Sequence, residues 1–380
     1  MKKLFITCAM AFCCCTSSFA ELSIDDVQKS AKNEDYSDKD SENLLYIYVG
    51  IDYIPQEIVK LFEEVSGIKV VISIFDSNET LEAKMLAGGA QYDIVFPTAF
   101  PCFSRQLKAK IYKKIDKSKI DLAKFDSYVI KKIKSFDVEN EYCIPYQWGI
   151  SGLGVREDII KKAIPNAQFD SYGLIFDEEN IKKLSEFGVS VYESHEELFP
   201  AVAAYLGFDP ENMEMESVRK ATEHLKKIRK YIRKFTGYGF EDLSSGNACI
   251  VLGTSGDIVS VRNQELANFN KSHIQFVFPK EGASLWIDVA AIPQDAKHVK
   301  NAHLFMKFLM NPHVSAYIVN STCRATALDA AKEHIDKDIV ENEYIFPNND
   351  IKMKCYLEKY QYGPLNKIRT KEFTKLKSKL

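Results

Sequence analysis

Leu44-Leu-Tyr-Ile-Tyr-Val49 is an unbroken apolar and aromatic run, and the residues from there to Phe96 decide the fold. The run reads as a buried strand. From Pro55 to Val65, Ile58, Leu61, Phe62 and Val65 recur three and four apart, which predicts a helix with Pro55 near its first turn and Gly67 as its stop. Ile68 to Phe75 is a second strand. Ser77 or Asn78 caps a helix through Leu86, Gly88-Gly89 ends it, and Tyr92 to Phe96 is a third strand. Strand–helix–strand–helix–strand with short connections requires parallel strands, because a hairpin cannot join them. The fold class is therefore α/β.

Downstream, the same grammar recurs less cleanly. Val189 to Tyr192 is a short strand and Glu196 to Leu206 a helix. Ser217 to Phe235 reads as one long helix whose stripe is Val218, Ala221, Leu225, Ile228, Ile232 and Phe235. Its other face is basic, which an acidic chain with sparse aromatics assigns to solvent before nucleic acid or membrane. Ala248 to Leu252 and Ile274 to Phe278 are strands, and Val299 to Met310 is a helix stopped by Asn311-Pro312. Pro279 to Pro293 reads as a strand carrying Trp286 and Asp288 two residues apart, hence on one face. An indole beside a carboxylate suits an organic ammonium ion: a π face for the cation and its methylenes, an anion for its N–H donors. A core Trp beside a solvated Asp reads equally well from this segment alone.

Upstream, Met1-Lys2-Lys3, the apolar Leu4 to Cys15 and the small residues around Ser18-Phe19-Ala20 form a secretory signal peptide, residues 1–20, with cleavage expected after Ala20. The apolar run is too short to span a bilayer. Cys13, Cys14 and Cys15 offer lipid attachment, but Phe12 is bulky where such sites want a small neighbour. Residues 21–43 are polar, acid-rich and nearly free of aromatics, and read as a flexible leader.

The chain has 380 residues, 46% of them hydrophobic and 27% charged, which is a globular balance with room for two cores. Loss of Lys2 and Lys3 takes the net charge from −3 to −5, so nothing calls for nucleic acid. Cys102, Cys143, Cys249, Cys323 and Cys355 remain after export, widely spaced and without CxxC, giving neither a disulfide framework nor a zinc site. Gly253-Thr-Ser-Gly-Asp257 and Gly149-Ile-Ser-Gly152 miss GxSxG, and HExxH, Walker A and GxGxxG are absent. An exported two-domain α/β chain without catalytic motifs reads as a solute binder rather than an enzyme.

Several blocks, in order, carry a resemblance: Leu45-Tyr-Ile-Tyr with Asp52-Tyr53, Phe75-Asp-Ser-Asn-Glu-Thr-Leu-Glu-Ala-Lys84, Tyr92-Asp-Ile-Val-Phe-Pro-Thr98, Ile115-Asp-Lys-Ser-Lys119, Ile144-Pro-Tyr-Gln-Trp-Gly149, Gly188-Val-Ser-Val191, Glu196-Glu-Leu-Phe199, Gly253-Thr-Ser-Gly-Asp257, Pro279-Lys-Glu-Gly282 and Trp286-Ile-Asp288. From Leu44 onward the chain resembles the periplasmic spermidine/putrescine-binding proteins of ABC importers, nearest the putrescine branch. The resemblance implies a two-lobed periplasmic solute-binding fold with the ligand cleft between the lobes. One lobe would be residues 44–149 plus 287–332, the other 150–286 plus 333–380, closing by a hinge motion. It implies capture of a polyamine and delivery to an inner-membrane ABC permease, by a monomer without cofactor, metal or nucleic acid.

The family's acidic positions fall on Asp52, Glu197, Asp257 and Asp288, its aromatic walls on Tyr53, Trp286 and Phe100, and its amine-bonding hydroxyl on Thr98. Carboxylates pairing a buried dication and rings covering its methylenes are what such a cleft requires. Tyr53, Thr98, Asp257 and Asp288 all fall at or just after strand ends, where α/β sheets bind ligands. Plainer roles stand beside these: a dipole-stabilised surface acid for Glu197, a turn or cap for Asp257, and strand-end packing for Thr98 and Phe100. The chain also departs from the family. Gly50 and Ile51 stand where a Trp and a small hydroxyl residue are usual, Thr254 replaces another Trp, and Arg324 takes a Tyr position. Two readings follow. Either Arg324 lies outside the cleft or neutralises an acid and the ligand is a polyamine, or the ligand is another amine or zwitterion such as an amino acid derivative.

Overall fold

The computed structural model describes residues 22–357 and 363–378; the expected signal peptide lies outside them. Its strands are β1 (Leu44–Gly50), β2 (Lys69–Phe75), β3 (Ile94–Val95), β4 (Cys143–Arg156), β5 (Val189–Val191), β6 (Lys234–Phe235), β7 (Ile250–Thr254), β8 (Ile274–Val277), β9 (Ala283–Ala291), β10 (Ala325–Thr326) and β11 (Cys355–Tyr356). The helices that matter below are α1 (Ile24–Ala31), α2 (Gln56–Ser66), α3 (Asn78–Ala87), α4 (His195–Tyr205), α5 (Met215–Ile228), α6 (Ser255–Phe269), α7 (Val299–Leu309), α8 (Pro312–Thr322) and α9 (Pro364–Ser378).

β1 pairs in parallel with β2 and β3, as the sequence of alternating strands and helices requires. Gly67 closes α2 at φ 68°, a left-handed conformation that glycine adopts without steric cost. A second parallel set, β7-β5-β6, lies at the other end. Two long antiparallel strands join them: the order runs β2-β1-β3-β9-β4-β7-β5-β6. β4 is buried along nearly its whole length, which explains its mostly apolar and small residues, broken only by Gln147 before the final Arg156. Its N-terminal half packs in one hydrophobic cluster, through Ile150, and its C-terminal half in another, from Leu153. The register of β4 on β9 shifts between Pro145 and Trp148, so Tyr146 and Gln147 form a bulge opposite Asp288.

Three expectations change. Residues 22–43, expected as a flexible leader, are built into the first cluster: Ser23 caps α1, Val27 and Ala31 are fully buried, and Tyr36 stacks edge-on against Phe62. Three buried residues sufficed to dock a segment that composition assigned to solvent. The long helix expected to Phe235 stops as α5 at Ile228, and Lys234–Phe235 pairs with β5 instead. Sheet pairing claimed the end of the apolar stripe. Its basic face is partly occupied by protein: Lys226 pairs with Glu372 of α9, and Arg229 donates to the Leu376 carbonyl. The five described cysteines are buried free thiols, so no bridge forms among them.

Candidate functional site

The site is assembled from strand ends and helix starts. β9 carries Trp286 and Asp288 on one face, and Asp288 is only 2% exposed. A carboxylate so buried needs donors. Tyr53 Oη donates to Asp288 Oδ2 at 2.8 Å, and Thr98 Oγ1 donates to Oδ1 at 2.7 Å. Thr98 reaches it because its backbone bridges Asp288 across the β3–β9 edge, with the Val289 amide donating to the Pro97 carbonyl. Burial lifts the Asp288 carboxyl to about 6, while the Thr98 and Tyr53 hydrogen bonds and the nearby Arg324 charge oppose the rise. Burial also holds the Tyr53 phenol well above its usual range, so it stays a donor.

Supporting residues fix these donors. Asn78 Nδ2 donates to Thr98 Oγ1 at 2.8 Å, and the Thr98 amide donates back to Asn78 Oδ1 at 3.0 Å. The Thr98 hydroxyl, already accepting, is left to donate onward to Asp288. Ser77, not Asn78, caps α3, which frees the Asn78 side chain for this task. Tyr146, in the β4 bulge, donates from Oη to the Tyr53 carbonyl at 2.7 Å. The indole of Trp286 lies across Gly149 of β4: a Cβ there would sit 2.6 Å from the ring. Position 149 admits only glycine while the indole keeps this pose. Trp286 Nε1 and Tyr192 Oη are buried without a hydrogen-bond partner among the described residues.

The acids of the second parallel unit project from helix starts. Glu197 lies in the first turn of α4, capped by Ser194, and Asp257 in the first turn of α6, capped by Thr254. Thr254, where an aromatic wall was expected, is therefore a helix cap whose Oγ1 accepts from the Asp257 amide. Glu197 makes no hydrogen bond or ion pair among the described residues. Burial, then the charges of Glu79, Glu196 and Asp288, push its carboxyl up to about 8. Asp257 is paired: Arg324 Nη2 donates to its Oδ1 at 2.7 Å, both side chains being largely buried. The same guanidinium lies 4.8 Å from the Tyr53 ring centroid and donates from Nη1 to the Asp52 carbonyl at 3.0 Å.

Tyr53, Thr98, Asp288, Arg324 and Asp257 thus form one connected cluster. Trp286 flanks it along β9, and Glu197 joins it through the field of Asp288. Two expected residues stand differently. The Asp52 side chain is exposed, with its backbone in the left-handed region at φ 55°, and only its carbonyl meets the cluster. The Phe100 ring packs against Phe136, 6.4 Å between centroids. Asn78 and Tyr146 were not expected; Asn78 was visible in the sequence only as an alternative helix cap. A groove of about 730 Å³ adjoins the cluster, with Ile51, Ile72 and Ile74 on one wall and Phe240 and Val261 on the other. At another rim, Arg105 binds Glu82 through two hydrogen bonds and also pairs with Glu196 of α4. No group of His, Cys, Asp and Glu arranged to hold a metal ion occurs among the described residues, and no described helix is long and apolar enough to cross a membrane.

The model of the bacterial extracellular solute-binding protein family matches residues 57–347. The chain is 36% identical over 341 residues to the putrescine-binding periplasmic protein PotF of Escherichia coli, covering 89% of this chain and 92% of that one. It is 36% identical over 338 residues to the putrescine-binding periplasmic protein SpuD of Pseudomonas aeruginosa, covering 88% and 92%. Among solved structures, a putative spermidine/putrescine ABC transporter from Listeria monocytogenes superposes with a TM-score of 0.77 at 26% identity, covering 89% of this chain and 99% of that chain. The two-lobed α/β architecture and the succession of matched blocks agree with these likenesses, and the chain belongs to the bacterial extracellular solute-binding proteins.

Proposed function

We propose that this protein captures a polyamine of the putrescine/spermidine type between its two lobes and hands it to an ABC importer, performing no chemistry on it. The observation that carries this is a pair of enclosed carboxyl groups that no cation meets among the described residues. Among the described residues, Asp288 has hydroxyl donors but no ion-pair partner, and Glu197 has neither. Buried carboxylates without cations are expensive unless a cation arrives with the ligand. An alkyl diammonium supplies two such charges, and its methylenes suit the indole of Trp286 and the ring of Tyr53. Arg324 is held by Asp257, so it offers no free cation to the carboxylate of a zwitterion. That favours the polyamine over an amino acid derivative.

The proposed binding residues are Tyr53, Thr98, Glu197, Trp286 and Asp288, with Arg324 and Asp257 shaping one end. Asp52 and Phe100 contribute through backbone and packing. The lobes meet at β4 and β9, with residues 44–149 and 287–332 in one and most of 150–286 in the other. Residues 335–355 pack in the cluster that holds the first lobe's strands together with Phe276 and Ala283 of the second, whereas Phe373 and Leu376 of α9 belong to the other cluster. The periplasm and an inner-membrane permease are the setting in which such a protein works, and both relatives described above are named as periplasmic.

Calorimetric titration with putrescine, spermidine and a panel of amino acids tests the reading. Saturable heat with at least one polyamine, and none with the amino acids, is expected. Absence of heat with every polyamine at high protein concentration would sink it.

A further inference from the structure

The two arginines near the site each have an acid. Arg105 is held by Glu82 and Glu196, and Arg324 by Asp257. Among the described residues, the enclosed carboxyls Asp288 and Glu197 have no ion-pair partner. The third, Asp257, stands in surroundings that would suit a ligand ammonium: a carboxylate oxygen, the face of Tyr53 and the Asp52 carbonyl. The protein's own guanidinium fills that position.

Arg324 is not a loose surface side chain that happens to fold inward. Cys323 ends α8 in the left-handed region at φ 54°, and Ala325 pairs with Trp148 of β4, so the backbone on both sides is fixed. On the facing element, Gly256 leaves room for it: a Cβ there would lie 3.0 Å from Arg324 Cγ and 2.6 Å from the Cys323 carbonyl. The first turn of α6 can approach this closely only because residue 256 has no side chain.

We propose that Arg324 is a specificity-determining residue that occupies a third ammonium position and so selects diamines over triamines. This rests on the polyamine reading of the cleft. A dication finds two unpaired carboxylates. A trication must either leave one ammonium unpaired in an enclosed space or displace a guanidinium held by an ion pair, a carbonyl and a ring. Arg324→Gln removes the cation, frees Asp257 and opens that end to a third ammonium.

Titration calorimetry of the full mature chain with putrescine and with spermidine provides the test. Wild type is expected to favour putrescine by about tenfold or more, roughly the effect of one unmet pairing. Arg324→Gln is expected to move the ratio at least about tenfold towards spermidine, and adding Asp257→Asn to that variant should cancel the shift. Equal or tighter spermidine binding by wild type overturns the proposal without any variant. So does an Arg324→Gln protein that binds both amines with the wild-type ratio. Wild type that binds neither amine overturns the polyamine reading, and this inference with it, an outcome distinct from the other two.

Discussion

Asp288 and Glu197 face the same enclosed region with opposite surroundings. Asp288 sits on a strand between two hydroxyl donors that are themselves held by Asn78 and Tyr146, and its carboxyl rises only to about 6. Glu197 sits at a helix start among other acids, with no donor among the described residues, and rises to about 8. At neutral pH the first is therefore mostly an anion and the second mostly an acid. Hydrogen bonding at Asp288, and neighbouring acids at Glu197, separate the two carboxyls: in the proposed site the first is ready to receive an ammonium, and the second must first give up a proton.

Replacing the ready anion should have the largest effect. Asp288→Asn keeps the shape and removes the charge, so polyamine affinity should fall by about 2–5 kcal/mol, the range for truncating one side of a buried charge pair. Unchanged affinity by calorimetry would remove Asp288 from the site. Next, Thr98→Val deletes one charge-assisted hydrogen bond and should weaken binding by about 1.5–3 kcal/mol. It should also raise the Asp288 carboxyl further, shifting the low-pH edge of the affinity profile upward. An edge that stays in place would mean that Thr98 does not hold Asp288 in its anionic form.

The smallest change in the unliganded protein is expected from Glu197→Gln, which imitates the acid protonated at neutral pH, and its readout is pH. Folding raises both carboxyls, so the unliganded folded protein binds more protons than the unfolded chain from the ordinary carboxylate range up to about 8. The stability these groups contribute is complete at low pH and is lost as pH rises through about 6 for Asp288 and about 8 for Glu197. Thermal unfolding without ligand should show this decline in wild type. In Glu197→Gln it should end near the Asp288 value. Identical declines in both proteins would contradict the contrast between the two acids.

The first parallel unit was legible because its strands and helices are cleanly punctuated: Pro55, Gly67, Ser77 and Gly88 mark boundaries that the structure keeps within a residue or two. Trp286 and Asp288 were legible as a pair because a strand's period of two needs no tertiary knowledge. What escaped was long-range. The Asp257–Arg324 pair spans 67 residues, and nothing local in either segment announces it. Asn78 looked like a cap because Asn commonly is one, and only the arrival of Thr98 gives its amide another use. Ile232 and Phe235 continued a helical spacing in a segment that a neighbouring strand then recruited. The leader was misjudged because composition counts polar residues, whereas docking needs only Val27, Ala31 and Tyr36 in the right places.

The bulge that sets Tyr146 and Gln147 against Asp288 lies on β4, the strand that runs from one hydrophobic cluster to the other. Under the proposed lobe division and hinge closure, Asp288 rides on the fulcrum, while Glu197 and Asp257 sit on the moving jaw. A ligand's first ammonium can be gripped at the pivot, where displacement is least, before any swing has occurred. The second must wait for the jaw. Capture and clamping then become separate events, and the distance between a ligand's charges decides whether the first leads to the second.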